Sequence, residues 1–568
     1  MRAPKIVFVF AVVFLSSWAL CQESNSGLVP AQAPPSPLAS PSSTQPPFDQ
    51  VLDRIIERER AFNTQMRQMH PLVETYIQNL KADKEMGAVP ISDQYFLGRL
   101  DLSDGAKDRS FLTSPSFGRR ILNGFSSLYT MRFLPLGFAQ MVILDQDFER
   151  KYYNFTAVRR EFMGEVRCIV IDVQPKPHTG NGRFIGRIWV EDQDYNIVRY
   201  DGTYTPHAHN SYYLHFDTWR LNLRPGVWLP AYVYSEESAQ EPHGSHDLHY
   251  KAQTRLWGYD LQQLNPREEF TQIMVDSPQG VRDQSESQQD KSPVQAERSW
   301  ERQAEDNALD RLQKVGLLAP EGDVDKVLVT VVNNLIVTNN LDIQPDVRVR
   351  VLLTSPLESF AVGHTIIMSR GLLDVLPDEA SLAMVLGHEL GHIVLGHKLD
   401  TELAFNDQMF FPDEHTFERL DFERSPEDEE AADKKAVELL SHSPYKDNLA
   451  NAGLFLKALQ ARAPELHCLI RPHLGNGLAN GKSLRMSALL SNAPQLEMRS
   501  TDQIAALPLG ARIKLDPWSN RIELLKTKPV KLMSPQEKMP FEVTPFFPYL
   551  SRMSNGGPEK MALTAPVK

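Results

Sequence analysis

The sequence predicts an α+β multidomain fold, in which an N-terminal antiparallel β-rich domain is followed by a mainly α-helical domain. Three observations carry that expectation. The chain has 568 residues, more than one hydrophobic core organises, so two or three domains are expected. Between about residues 90 and 275, aromatic and β-branched residues recur with period two in runs bounded by Gly, Asn, Asp or Pro. Farther on, the apolar run "LGHELGHIVLGH" (386–397) sits inside a longer helical pattern and holds three histidines and a glutamate.

The first 21 residues read as an export signal. Arg2 and Lys5 precede the apolar core Ile6–Leu15, and Ala19 and Cys21 fit small-residue cleavage positions. The competing reading is an uncleaved anchor, for which the apolar stretch is short. A lipid on Cys21 is disfavoured by Trp18 and Leu20. A cleaved chain is expected to be soluble and periplasmic or secreted; the alternative is membrane-anchored. Residues 22–48 are Pro/Ser/Ala-rich and too poor in apolar area to fold, so a disordered spacer is expected. Residues 49–89 read as a helical segment, with Val51, Ile55, Phe62 and Met66 on one stripe and Pro71 dividing it into two helices.

Residues 90–275 read as an antiparallel sheet of six or more strands, among them 165–175, 182–192, 196–204, 211–221 and 226–236. The stretch 188–202 reads as a hairpin turning through Asp192–Asn196. It resembles hairpins of LolA-like lipoprotein-carrier folds, which implies a curved sheet with an apolar concave face. Residues 276–300 are polar and read as a linker. Helices dominate 301–500, interrupted by strands at 347–354 and 364–369. The tail, 501–568, offers a hairpin at 511–526 and then Pro-rich irregular chain.

The net charge of −12 gives no support to a nucleic-acid binder. Of three cysteines, Cys168 and Cys468 lie far apart without metal spacing and read as free thiols. His207, His209, His243, His246 and His249 fall in turn-rich stretches and read as solvated.

The chemistry concentrates at His388-Glu389-Leu390-Gly391-His392, an H-E-x-x-H motif. With 16 histidines in the chain such a motif can arise by chance, so its surroundings decide. Pro377 suits a first helical position, and Asp378 and Glu379 complement the helix dipole. Residues four apart share a helix face, so His388 and His392 can present both imidazoles to one Zn2+. Glu389 is rotated by about 100° and can reach an attacking water without taking a coordination position. His397 turns away from that pair, by about 140° from His392 and about 180° from His388, and reads as a polar residue at the helix end. A third ligand is still needed. In "SPEDEEAADKKAVELL" (425–440), Ser425 can cap, Pro426 fits the first turn, and Glu429 and Asp433 share a face. Spacing alone supports two readings equally: a solvated acidic helix start, or Glu429 as ligand with Asp433 hydrogen-bonded to a ligand imidazole.

The pairing of "LGHELGHIVLGH" with Glu429-Glu430-Ala431-Ala432-Asp433 resembles family 48 of the zinc metallopeptidases, gluzincins that include HtpX-like and CaaX prenyl protease-like members. The resemblance covers roughly 310–500. It implies one Zn2+ per chain on His388, His392 and Glu429, with Glu389 as general base. It further implies a zincin domain, an edge strand within 359–376 that pairs with substrate, polypeptide substrates and peripheral association with the cell envelope. The sequence departs from the family at Ser359-Phe360-Ala361 and Val362-Gly363-His364. It departs again after the third ligand, where His473 and Arg485 stand with altered spacing; His473 is the residue expected at the polarised carbonyl or in gating. A different class of reading is a chaperone-like or lipid- or peptide-binding envelope protein whose sheet holds an apolar client or lipid, with a structural metal site.

Overall fold

The computed structural model describes residues 47–83, 87–102, 107–110, 139–144, 147–179, 183–204, 212–240, 246–260, 306–397, 422–480, 483–497, 513–516, 521–524, 543, 545 and 547–553. The expected signal, the spacer up to residue 46, the linker 276–300, and His207, His209 and His243 lie outside them. Phe48–Lys568 form one compact unit. Among the described residues no helix is long and apolar enough to cross a membrane.

The chain begins in helix α1 (Phe48–Met66), which buries Val51, Ile55, Phe62 and Met66, the stripe read from the sequence. The second expected helix is instead strand β1 (Leu72–Asp83), so the sheet begins well before residue 90. Leu72, Val73, Glu74, Thr75, Tyr76 and Ile77 are all buried. A strand covered on both faces loses the period-two signal, and Val73 and Ile77, four apart, imitate a helical stripe.

Strands β2 (Gly87–Asp101), β3 (Lys107–Ser110), β4 (Tyr153–Met163), β5 (Val166–Pro175), β6 (Phe184–Glu191), β7 (Ile197–Tyr204), β8 (Tyr212–Arg224), β9 (Val227–Gln240) and β10 (His246–Trp257) complete the sheet. Its ten strands run in the order β3-β2-β1-β10-β9-β8-β7-β6-β5-β4. Neighbours are antiparallel, and β1 pairs with β10, Leu72 opposite Trp257. His246 and His249 therefore stand on a strand, not in a turn, and His249 is exposed there. The hairpin read at Asp192–Asn196 joins β6 to β7. The buried Glu191 carboxylate organises that turn by accepting from the backbone N–H groups of Gln193, Asp194 and Asn196 at 2.9–3.0 Å.

Each face of the sheet has its own core. One holds α1 and the short 3-10 turn Ala139–Val142 against Ile171, Phe184, Tyr200 and Phe216. Here Arg220 donates to both Glu59 oxygens at 2.7 Å and lies 3.8 Å from the Phe62 ring centroid. Breaking a buried pair strands a charge. Glu59→Ala is therefore expected to cost about 3–5 kcal/mol, measured by denaturant unfolding.

The other face packs on the helical region and the C-terminal strap. The hairpin expected in the tail is present as β16 (Ile513–Asp516) and β17 (Arg521–Leu524). The later tail lies on the sheet: Phe547 meets Trp219 edge-on, Leu550 is buried, and Arg552 pairs with Glu191 at 2.6 Å. Among the described residues both faces are thus covered over most of the sheet, the edge strand β4 remaining largely exposed.

The helical region holds α2 (306–315), α3 (Asp323–Thr338), α4 (Arg370–Val375), α5 (Glu379–Leu395), α6 (Pro426–Ser441), α7 (Leu449–Arg462) and α8 (His467–Ile470). A small sheet accompanies them, with β11 (Arg348–Leu352) parallel to β13 (Thr365–Ser369) and β12 (Ser359–Val362) antiparallel at its edge. Short pairs β14 (Ala479–Asn480) and β15 (Ser483–Leu484) lie farther on.

Candidate metal centre

Helix α5 starts at Glu379, with Asp378 as its cap accepting from Ser381 N at 2.8 Å. Pro377 therefore precedes the cap and does not occupy the first helical position. The helix is apolar all round because it is buried all round, flanked by α3, α6, α7 and β12. It ends at Gly396, whose φ of 68° is left-handed and suits glycine. Helix α6 starts as read from the sequence, with Pro426 in the first turn and the Ser425 hydroxyl accepting from Asp428 N.

The two helices approach closely at Gly391. A Cβ there would stand 2.8 Å from the Ala432 carbonyl oxygen, so only glycine lets α6 settle this near. The approach brings Glu429 to the histidine pair. Its Oε2 lies 3.2 Å from His388 Nε2, and its Oε1 lies 3.4 Å from His392 Nε2. The two Nε2 atoms are 3.0 Å apart. Both imidazoles and Glu389 are buried.

The donor set suits a tetrahedral ion. Ligands at about 2.0–2.1 Å define edges of about 3.3 Å, and the three separations here straddle that value. Their outward nitrogens are occupied. His388 Nδ1 lies 2.8 Å from Asp433 Oδ1, and Asp433 Oδ2 accepts from Met486 N at 2.7 Å. His392 Nδ1 lies 2.9 Å from His397 Nδ1, whose Nε2 is 3.5 Å from Asp428 Oδ1. With protons on both outward Nδ1 atoms, both Nε2 lone pairs face Glu429, an arrangement that a divalent cation relieves. Among the described residues, His388, His392 and Glu429 form the one group of this kind that could hold a metal ion.

Burial raises the Glu429 carboxyl, but the two imidazoles and Arg485 outweigh it and hold the group well below the usual range. Burial lowers both histidines; Asp433 and Glu429 pull His388 back above its ordinary value, while His392 stays lowered.

Two further side chains complete the site. The buried Ser359 hydroxyl, on β12, donates to Glu389 Oε1 at 2.7 Å. Buried Arg485 reaches Glu389 Oε1 at 3.1 Å and Glu429 Oε2 at 2.9 Å, and it also donates to Asn476 O. Sequence reasoning noted both positions only as departures from a family pattern, since no local spacing ties them to Glu389. His397 likewise gains a contact that its helical angle did not announce: the helix stops at Gly396, and the ring folds back onto His392.

His473 is placed elsewhere. Its ring stacks on Tyr95 of β2 at 5.1 Å, its backbone N–H donates to Glu358, and burial lowers its pKa to about 4. The structure brings Arg485, and not His473, to the carboxylates of the site. The edge strand β12 lies against α5 as expected, but its outer side is engaged. Arg424 donates at 2.8 Å to both Ala361 O and His397 O, Glu358 bridges to Gly477, and Phe360 stacks on Phe422.

Among solved structures, a DUF1329 family protein from Desulfovibrio piger ATCC 29098 is 10% identical, with 38% of this chain and 92% of that one covered and a TM-score of 0.18. A structure of the Pseudomonas aeruginosa MucA/MucB complex gives 8% identity, 37% and 94% coverage and a TM-score of 0.13. Neither is close enough to bear on the chemistry of this chain. No curated protein matches it. Residues 324–412, which carry both histidines and Glu389 while stopping short of Glu429, match the model of peptidase family M48. That match makes the region around the site similar to M48 peptidases, and metallopeptidase activity is what it suggests.

Proposed function

We propose that the protein is an exported zinc endopeptidase acting on polypeptides, with unassembled or damaged envelope proteins as the substrate class that the family resemblance favours. The observation that carries the reading is the meeting of Glu429, from one helix, with the paired imidazoles of another. A bound zinc ion would be held by His388, His392 and Glu429; it would polarise the scissile carbonyl and acidify the attacking water. Glu389 is placed to take the proton from that water and pass it to the leaving amine. Its Oε1 is held by Ser359 and Arg485, which leaves Oε2 for the proton. Burial of the site excludes bulk water and strengthens these interactions.

The chaperone-like alternative needs an open apolar face on the sheet. Among the described residues both faces are packed over most of the sheet, by α1 on one side and by the helical region with the C-terminal strap on the other, while the edge strand β4 stays largely exposed. Metal removal separates the two readings. Dialysis against a chelator is expected to abolish cleavage of a labelled unfolded polypeptide while leaving the circular-dichroism spectrum largely intact, and one equivalent of zinc should restore activity. A chain that unfolds on chelation and never cleaves would instead mark the metal as structural.

A further inference from the structure

The partners of Glu389 are themselves anchored on the sheet. Ser359 follows the segment Thr354–Glu358. In that segment, Ser355 donates to Glu74 of β1 through its backbone N–H at 2.5 Å and through its hydroxyl at 2.8 Å. Tyr95 of β2 donates to the same carboxylate at 2.8 Å. Arg485 is tied to the segment that follows α8 through Asn476 O. The start of α8 is held by Asp93 of β2, which accepts from Cys468 N and Leu469 N at 2.8 Å and from the Tyr76 hydroxyl at 3.2 Å. Between these two segments lies Glu358, fully buried, which accepts from His473 N and Leu474 N at 3.0 Å and from Thr354 at 3.3 Å. Leu357 N donates to Leu469 O at 2.7 Å, which joins the two segments directly through their backbones. Four buried carboxylates thus form a relay from sheet to site: Glu74 and Asp93 on the sheet, Glu358 between the segments, and Glu389 at the end.

We propose that Glu74 and Asp93 are positioning residues for the reaction: the sheet holds, through these two carboxylates, the segments that present Ser359 and Arg485 to Glu389. The proposal rests on Glu389 being the base. Charge-bearing hydrogen bonds in a buried setting fix geometry tightly. A displacement of about 1 Å at a reacting group can cost up to about 10²-fold in rate. The sheet therefore belongs to the catalytic apparatus, although none of its strands touches the reacting atoms.

The test uses the full-length zinc-loaded protein and a labelled unfolded polypeptide. Glu74→Gln and Asp93→Asn are each expected to lower kcat by about 10-fold or more, with KM and zinc content within twofold of the parent. Ser359→Ala supplies the readout that a merely structural role would not move. Because Glu74 acts through Ser359, adding Glu74→Gln to Ser359→Ala should lower kcat by less than twofold further. Additive losses in ln kcat, an unchanged kcat, or a loss of zinc in step with activity would each overturn the proposal. If Glu74→Gln does not fold, Tyr95→Phe removes one hydrogen bond from the same carboxylate while keeping a ring on His473, and it is read in the same cycle. A parent protein that binds zinc but cleaves nothing refutes the peptidase reading itself, whereas an active parent with additive variants refutes only the relay.

Discussion

Glu389→Gln is expected to keep one equivalent of zinc and to lose about 10²–10⁴-fold in kcat, the usual contribution of a positioned general base. The amide is nearly isosteric, and its oxygen can still accept from Ser359 and Arg485, so the fold and the histidine pair should be undisturbed. What it cannot do is accept a proton. The check is zinc content by elemental analysis beside steady-state cleavage of an unfolded polypeptide. A variant that holds its zinc and cleaves at the parental rate would refute the assignment of the base.

Glu429→Gln should act on the metal first. Loss of an outer partner of a ligand costs about 10–100-fold in metal affinity, which is the range expected for Asp433→Asn, since Asp433 orients His388 without being a ligand itself. Removing the ligand carboxylate itself should exceed roughly 100-fold and abolish cleavage at limiting zinc. Competition with a chromophoric chelator measures both. Glu429 also neutralises buried Arg485, so melting under chelator, where no metal contributes, separates that cost from the loss of binding. Equal affinities for the two variants would show that Glu429 is not a ligand.

The metal helix and its partner were legible because their signals are local. Four-residue spacing put His388 and His392 on one face, and Ser425 and Pro426 announced the start of the helix that carries Glu429 and Asp433. The antiparallel sheet was legible at 184–204, although both faces of these strands are largely buried, because their aromatic and β-branched residues are bounded by turn residues. It was illegible at β1, where burial on both faces erased the alternation and a helix was expected. The supports of Glu389 were not legible at all. Ser359 lies 30 residues before Glu389 and Arg485 lies 96 after it, and nothing in either neighbourhood marks the contact. His473 drew attention as a histidine in a plausible window, but a neutral imidazole also makes a good stacking partner, and Tyr95 provides the face.

Pairing the first strand of the large sheet with its last has a consequence for how the molecule is made. Leu72 meets Trp257, so nearly all of the intervening chain must emerge before that seam can close. Contacts between such distant parts of a sequence are slow to form, because the loop entropy is lost before the contact gives anything back. The helix bearing the two imidazoles is synthesised later still, and Arg485 later again. A newly made chain therefore has all the parts of its sheet before those of the candidate metal centre, and that centre can come together only near the end of synthesis.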